Sequence, residues 1–264
     1  MTIQAHAGKR SVVCLSGGMD SCVTAALAAR ETEAYALHFS YGQRTEAREL
    51  AAARAIAERL GMRDFLHLRI EIFRSIGGSA LTDLKIAVPD ASPEFDQAPP
   101  SPDATGAAIP VTYVPFRNAH FLSAAVSWAE VLSATRVYIG AVEQDSSGYP
   151  DCRPAYYQAF QQVINTGTRE ANIVIHTPLI AKSKEEIVRM ALESNAPLDL
   201  TWSCYREEQE ACGACESCVL RLRAFAAAGV LDPILYAAKA NEPDRNQFDR
   251  PHPRTSALRL RRNL

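Results

Sequence analysis

The sequence predicts an α/β protein: a parallel sheet flanked by helices, with a cysteine-rich segment towards the C-terminus. Three observations carry that expectation. Short apolar runs alternate with helical stretches from the N-terminus onwards. Two adjacent glycines, Gly17 and Gly18, stand between the first apolar run and the first helical stretch. Four cysteines, Cys204, Cys212, Cys215 and Cys218, crowd into one short segment. Alternation of this kind gives parallel strands joined by right-handed crossovers.

Residues 11–15 form the first apolar run, and the alanine-rich stretch 21–30 reads as helix. Residues 35–39 read as the second strand, and 65–70 as the third. Between them, residues 47–60 are good helix formers ended by Gly61 at the C′ position. Residues 89–110 carry six prolines and almost no apolar periodicity. That composition suits a long surface loop or lid, and equally a disordered insertion. Regularity returns with a helix over 118–132, a strand over 137–140 and a helix opened by Pro154 at its first position. Residues 173–175 read as a last short buried strand. Ser183 and Glu186 make a capping-box pattern, and a final helix ends at Gly229. The tail from Pro251 holds Arg254, Arg259, Arg261 and Arg262 and reads as a solvated terminus.

The 264 residues carry a formal net charge of −2. That balance gives no general pull on nucleic acid or an anionic membrane. No stretch approaches the roughly 20 apolar residues of a membrane span, and residues 1–10 lack the apolar core of a signal peptide. The expected location is cytoplasmic. Seven cysteines, an odd number with one tight cluster, read as reduced thiols plus a metal site.

The segment Ser16-Gly17-Gly18-Met19-Asp20-Ser21 follows a predicted strand and opens a predicted helix. Adjacent glycines let the backbone approach phosphate oxygens and present its N–H groups. Ser16 and Ser21 add hydroxyl donors. The helix directs its positive end at the anion. Asp20 is suited either to capping that helix or to holding a phosphate-bound Mg²⁺. The Gly-Lys-Ser/Thr ending of a Walker A loop is absent. The alternative is an ordinary glycine turn before a helix. Two glycines alone would favour it; all six positions together do not.

Seven, two and two residues separate successive members of the set Cys204, Cys212, Cys215 and Cys218. Four thiolates at this spacing suit one tetrahedral zinc with no open position, hence a structural ion. An iron–sulfur cluster is the rival, but the second half of a ferredoxin repeat is missing.

Three middle segments complete the pattern: Val114-Pro115-Phe116-Arg117-Asn118, the run Ser147-Gly148-Tyr149-Pro150-Asp151-Cys152-Arg153, and Thr177-Pro178-Leu179 followed by Lys184. Singly, each has a bland reading as an ion pair, a turn or a solvated lysine. Together with the glycine loop, Tyr41-Gly42-Gln43-Arg44 and the four cysteines, they resemble the 7-cyano-7-deazaguanine synthase family (QueC) of the PP-loop ATPases. The resemblance runs from about residue 11 to residue 229. Two departures stand beside it, a longer loop at 89–110 and the basic tail.

The resemblance implies a Rossmann-like sheet of the adenine nucleotide alpha-hydrolase type. It divides the chain into an ATP-binding domain over 11–200, a zinc-binding helical segment over 201–250 and a tail over 251–264. It implies conversion of 7-carboxy-7-deazaguanine, ammonia and ATP to the nitrile through an adenylated carboxylate and an amide, in queuosine biosynthesis. ATP would lie against Leu15, Ser16, Gly17, Gly18, Met19, Asp20, Ser21, Cys22, Val23, Thr24 and Ala25. Asp20, Arg117 and Lys184 are the candidate catalytic residues, and Asp145, Tyr149, Asp151 and Arg153 the candidate substrate residues. ATP, Mg²⁺ and one structural Zn²⁺ per chain are expected, with a homodimer and no membrane partner. The rivals are another PP-loop enzyme (a tRNA thiolase, or a ligase joining a deazapurine to a larger acceptor) and a zinc-bearing nucleic-acid-binding module without catalysis.

Overall fold

The computed structural model describes residues 9–91, 109–143 and 149–237. Most of the proline-rich stretch, Asp145 and the basic tail lie outside these. Five parallel strands, β1 (Arg10–Cys14), β2 (Glu33–Ser40), β3 (Phe65–Arg69), β4 (Arg136–Ile139) and β5 (Val174–His176), form one sheet in the order β3-β2-β1-β4-β5. Helices α1 (Met19–Glu31), α2 (Glu46–Arg59), α3 (Ile72–Ile76), α4 (Arg117–Leu132), α5 (Pro154–Gly167), α6 (Lys184–Ser194) and α7 (Glu216–Ala227) surround it.

The strands read as unbroken apolar runs because both faces are covered. Side chains alternate between two cores. Val12, Leu37, Phe39, Val137 and Ile139 face α4 and α5, with Leu122, Val126 and Ile164. Val13, Ala36 and Tyr138 face α1 and α2, with Cys22, Ala25, Ala53 and Ile56. Small side chains on α1 and α2 bring those helices close to the sheet. A third cluster joins Met19 and Val23 of α1 to Ile187 and Val188 of α6 and Phe225 of α7.

Local signals placed the boundaries well. Ser183 accepts from the Glu186 N–H while the Glu186 side chain accepts from Ser183, a complete capping box. Pro154 opens α5, and Gly61 follows α2 with φ +64°. One expectation is corrected. The last strand is not buried: β5 is an edge strand, Val174 is exposed, and its two other residues are half-buried. An edge strand lacks a neighbour on one side, so the apolar run there reflects β propensity more than burial. Helix α3 was not anticipated, being too short to show a period.

His38, on β2, is fully buried. Its Nδ1–H donates to the Leu15 carbonyl at 2.8 Å, and Nε2 meets no partner among the described residues. Burial first of all lowers its pKa to about 4. The unfolded chain protonates this group near 6.5, the folded chain only near 4. Stability is therefore full above the unfolded value and is lost as pH falls from there towards 4. The expected contribution is on the order of 3 kcal/mol. Urea unfolding followed from pH 7.5 down to about 4.5 checks it, with a His38→Gln variant giving the flatter profile.

Candidate active site

β1 is where the chain reverses direction across the sheet, with β2 and β3 to one side and β4 and β5 to the other. Loops leaving β1 and β4 diverge to opposite faces, and a crevice opens beyond their carboxyl ends. It is a cleft of about 290 Å³, bordered by Leu15 and Ser16 after β1 and by Gly140 and Ala141 after β4.

Gly17 is held on every side. It has φ +93°, and a Cβ there would lie 2.5 Å from the Glu49 carbonyl oxygen. Its own carbonyl accepts the Trp202 N–H at 2.8 Å. Only glycine fits. Gly18 differs: it is the N-cap of α1 with φ −80°, and a Cβ would find its nearest neighbour, Ser16 Oγ, at an ordinary 3.5 Å. The Ser21 hydroxyl donates to the Gly18 carbonyl at 3.0 Å and accepts from the Ser16 hydroxyl at 2.9 Å. The first helical bond runs from Cys22 N–H to Gly18 O, 3.0 Å. The N–H groups of Met19, Asp20 and Ser21 therefore have no acceptor within the helix, the arrangement that receives an anion. Gly140 permits a second close approach, since a Cβ there would meet the Asp20 backbone at 2.9 Å.

Asp20 does not cap α1, because Gly18 holds that position and no side chain caps it. Its Oδ2 accepts instead from Lys184 Nζ of α6 at 2.7 Å. Its Oδ1 is buried and meets no partner among the described residues. Leu15, Ser16, Gly18, Met19, Asp20, Ser21 and Lys184 all border the cleft. Cys22, Val23, Thr24 and Ala25 do not: they lie further along α1 and are buried in the core.

Arg117 is the first residue of α4 and lines the cleft. Its guanidinium donates to the Tyr41 hydroxyl at 2.9 Å and lies over the Tyr41 and Phe121 rings, 5.5 and 5.9 Å from their centroids. The residue before it, Phe116, has φ +57°, which costs a side-chain-bearing residue about 1–2 kcal/mol. Tyr149 also borders the cleft. It shares a 2.7 Å hydrogen bond with Thr112, and burial pushes its phenol up to about 12. Asp151 sits behind the cleft wall. Its Oδ2 accepts the Asn118 N–H at 3.1 Å, and Asn118 Nδ2 donates to its carbonyl at 3.0 Å. It thus steadies the start of α4, and burial raises its pKa. Arg153 is exposed at the N-cap of α5 and does not reach the cleft. Asp145 lies outside the described residues.

Sequence reasoning missed Glu49, Glu216, Trp202 and Tyr205, all of which border the cleft. Gln43 Nε2 donates to Glu49 Oε2 at 3.1 Å, and Thr45 Oγ1 to Oε1 at 2.8 Å. Burial pushes this carboxyl up to about 7, against those two hydrogen bonds. Along α2, Glu49 looks like one more charge on a solvated face. The only sequence signal was its closeness to Tyr41-Gly42-Gln43-Arg44.

The sulfurs of Cys204, Cys212, Cys215 and Cys218 all lie within 4.8 Å of one another. Cys212 and Cys218 are 3.9 Å apart. Tetrahedral Zn–S bonds of about 2.3 Å would put them roughly 3.8 Å apart, so the set fits such an ion. The N–H groups of Arg206, Glu207 and Cys212 point at Cys204 Sγ, each at 3.4 Å. Hydrogen bonds from Cys215 and Cys218, then from backbone amides, hold the Cys204 thiol well below its ordinary range. None of the four sulfur-bearing residues borders the cleft among the described residues. The cluster instead positions α7, for which Cys215 is the N-cap.

The parallel sheet, its switch-point cleft and the glycine loop at the foot of α1 define a protein of the PP-loop ATPase class, with an appended cluster of four cysteines that could hold a metal. A family model for the queuosine biosynthesis protein QueC matches residues 10–229. A 7-cyano-7-deazaguanine synthase of Acidobacterium capsulatum is 69% identical over 229 residues, covering 87% of this chain and 97% of that protein. One from Koribacter versatilis is 57% identical over 242 residues, covering 90% and 98%. One from Chlorobaculum tepidum is 53% identical over 234 residues, covering 88% and 98%. The chain belongs to the QueC family.

The two loop glycines are expected to separate under mutation. Gly17→Ala lowers unfolding free energy by about 3 kcal/mol or more, from the forbidden φ and the collision with α2. Gly18→Ala costs less than about 1 kcal/mol, the difference between these residues at an N-cap. Denaturant titration of both variants measures the contrast.

Proposed function

We propose that the switch-point cleft is where ATP activates 7-carboxy-7-deazaguanine for attack by ammonia. The chain is a ligase that makes 7-cyano-7-deazaguanine, the nitrile used in queuosine biosynthesis. A carboxylate is a poor electrophile until one oxygen becomes a leaving group. Adenylation makes it one, ammonia displaces AMP to give the amide, and activation of the amide oxygen allows loss of AMP to the nitrile.

One observation carries the assignment of roles. The Asp20–Lys184 pair sits at the mouth of a helix N-terminus whose N–H groups have no helical acceptor, at the sheet's switch point. In this reading Ser16, Gly18 and the first amides of α1 receive the phosphates, and Lys184 offsets charge on the α-phosphate. Arg117 faces the same space and is suited to the substrate carboxylate, by charge and by its fixed geometry against Tyr41. Tyr149 offers an aromatic edge for the deazapurine. Asp151 is engaged by Asn118, which leaves it a supporting role.

The buried, unpartnered Oδ1 of Asp20 is a hard oxygen donor beside the phosphate loop and fits Mg²⁺. That ion, when bound, neutralises charge on the departing pyrophosphate. Four clustered sulfurs fit Zn²⁺, which closes the segment and offers no open coordination position. A cytoplasmic homodimer accords with the same family resemblance. The thiolase alternative is not favoured, because the clustered cysteines stand away from the cleft among the described residues.

Purified protein incubated with ATP, Mg²⁺, ammonium and carboxy-deazaguanine is expected to yield the nitrile, detected by mass. A Ser16→Ala/Asp20→Ala double variant is expected to lose at least about 100-fold in rate; full ATP consumption by that variant would refute the loop assignment. Metal analysis is expected to find one zinc per chain. Chelation is expected to lower the melting temperature and expose Trp202 to quencher, since the site contributes on the order of 10 kcal/mol.

A further inference from the structure

Making a nitrile from ammonium requires more than activation of oxygen. Every proton on the incoming nitrogen has to leave, and the last leaves as the C≡N bond forms. The site needs a group of suitable basicity within reach of that nitrogen. Among the described residues that border the cleft, three carboxylates qualify on chemistry: Asp20, Glu49 and Glu216. Asp20 is held by Lys184 at 2.7 Å and faces the phosphates. Glu216 stands at the first turn of α7 beside Cys215. The carboxyl of Glu49 feels the charge of Arg117. The Glu49 backbone carbonyl abuts Gly17 of the phosphate loop. Its side chain is aimed by Gln43 and Thr45, one donor on each oxygen, which leaves each oxygen a further lone pair.

We infer that Glu49 is the base that takes the nitrogen proton in the dehydration of the amide to the nitrile. In that step the activated amide, R–C(=NH)–O–AMP, loses its N–H proton to a Glu49 carboxylate oxygen. The N–H electron pair becomes the third C–N bond, the C–O bond breaks, and AMP leaves with its electrons. Glu49 finishes as the neutral acid and returns its proton to solvent through the open cleft. No oxidant or reductant is involved. A carboxyl that titrates close to neutrality is well matched to this work. The groups that bias it are Arg117 from α4, Tyr41 from the end of β2 and Glu46 on its own helix. Lys184, Arg44, Arg221 and Glu216 also border the cleft.

The inference rests on the function proposed above, and the test keeps the two apart by supplying the amide directly with ATP and Mg²⁺. If the parent enzyme makes no nitrile from amide or acid, the proposed function fails. If it does, Glu49→Gln decides the base. From the acid and ammonium, the variant is expected to release AMP and pyrophosphate more slowly than the parent, but by a smaller factor than nitrile formation falls. It should accumulate amide and lose at least about 100-fold in nitrile formation. Glu49→Asp should recover part of that loss. In the parent, the amide-to-nitrile rate should rise with pH through an apparent pKa near 7. The pH profile of the parent and the Glu49→Asp variant together carry the test if Glu49→Gln folds poorly. A flat profile from pH 6 to about 8.5, nitrile formation by Glu49→Gln within about threefold of the parent, or amide accumulation in Glu216→Gln instead, would each overturn the inference.

Discussion

The carbonyl of Glu49, the α-carbon of Gly17 and the N–H of Trp202 meet at one point, and the site is organised around that junction. Gly17 is squeezed between helix α2 and the strand-like segment that carries Trp202, with no room for a methyl group. The squeeze fixes the turn out of β1, and with it the direction in which α1 begins. A parallel approach at Gly140 brings the end of β4 against Asp20. Two missing side chains thus allow three segments, far apart in the chain, to converge on the first turn of one helix. Backbone amides aimed this way cost no reorganisation when an anion arrives.

The cysteine segment extends that junction to the rest of the cleft. Thr45, which aims Glu49, also donates to the Cys204 carbonyl at 3.2 Å. Trp202 and the cysteines share one apolar cluster with Ala52 of α2 and with Ala80 and Val88 of the long connection after α3. Arg206 clasps that connection, donating to Val88 O and to Asp90, each at 2.7 Å. The buried Arg221–Asp232 pair, with bonds of 2.7 and 2.9 Å, locks α7 to the chain that follows. A segment with so little regular structure has few apolar contacts of its own, and an ion held by the four sulfurs would supply rigidity there. The cysteine cluster, set apart from the cleft, is thereby tied to its walls.

Charge divides the cleft into two halves. Lys184 and the helix amides gather on the side of Asp20, where phosphate charge is expected. Arg117 and Glu49 occupy the other side, close to Tyr41 and Tyr149. Low-dielectric surroundings strengthen both sets. They also raise the Glu49 and Asp151 carboxyls, yet the consequences differ. Asp151 spends its oxygen on the Asn118 amide and becomes structural, whereas Glu49 keeps a face on the cleft. Similar burial, with different partners, separates a scaffold carboxylate from a chemical one.

The five strands, the capped helices, the glycine loop and the cysteine cluster were all legible from residue order. Each is local: a period of two, a cap three residues wide, a metal spacing. Of the residues expected from contiguous motifs, Leu15, Ser16, Gly18, Met19, Asp20, Ser21, Arg117 and Lys184 border the cleft. The expected nucleotide segment runs on to Cys22, Val23, Thr24 and Ala25, whose side chains α1 turns into the core within one turn. Asp151 and Arg153 share a motif with Tyr149, yet a short 3-10 turn over Pro150–Cys152 sends them elsewhere. Glu49, Glu216, Trp202 and Tyr205 gave no local signal. Sequence alone determined which elements form and where the glycine loop and the cysteine cluster stand in them. Tertiary structure decided which side chains share the cleft, because that depends on how distant segments cross, and the absence of a Cβ at Gly17 and Gly140 is what lets them cross there.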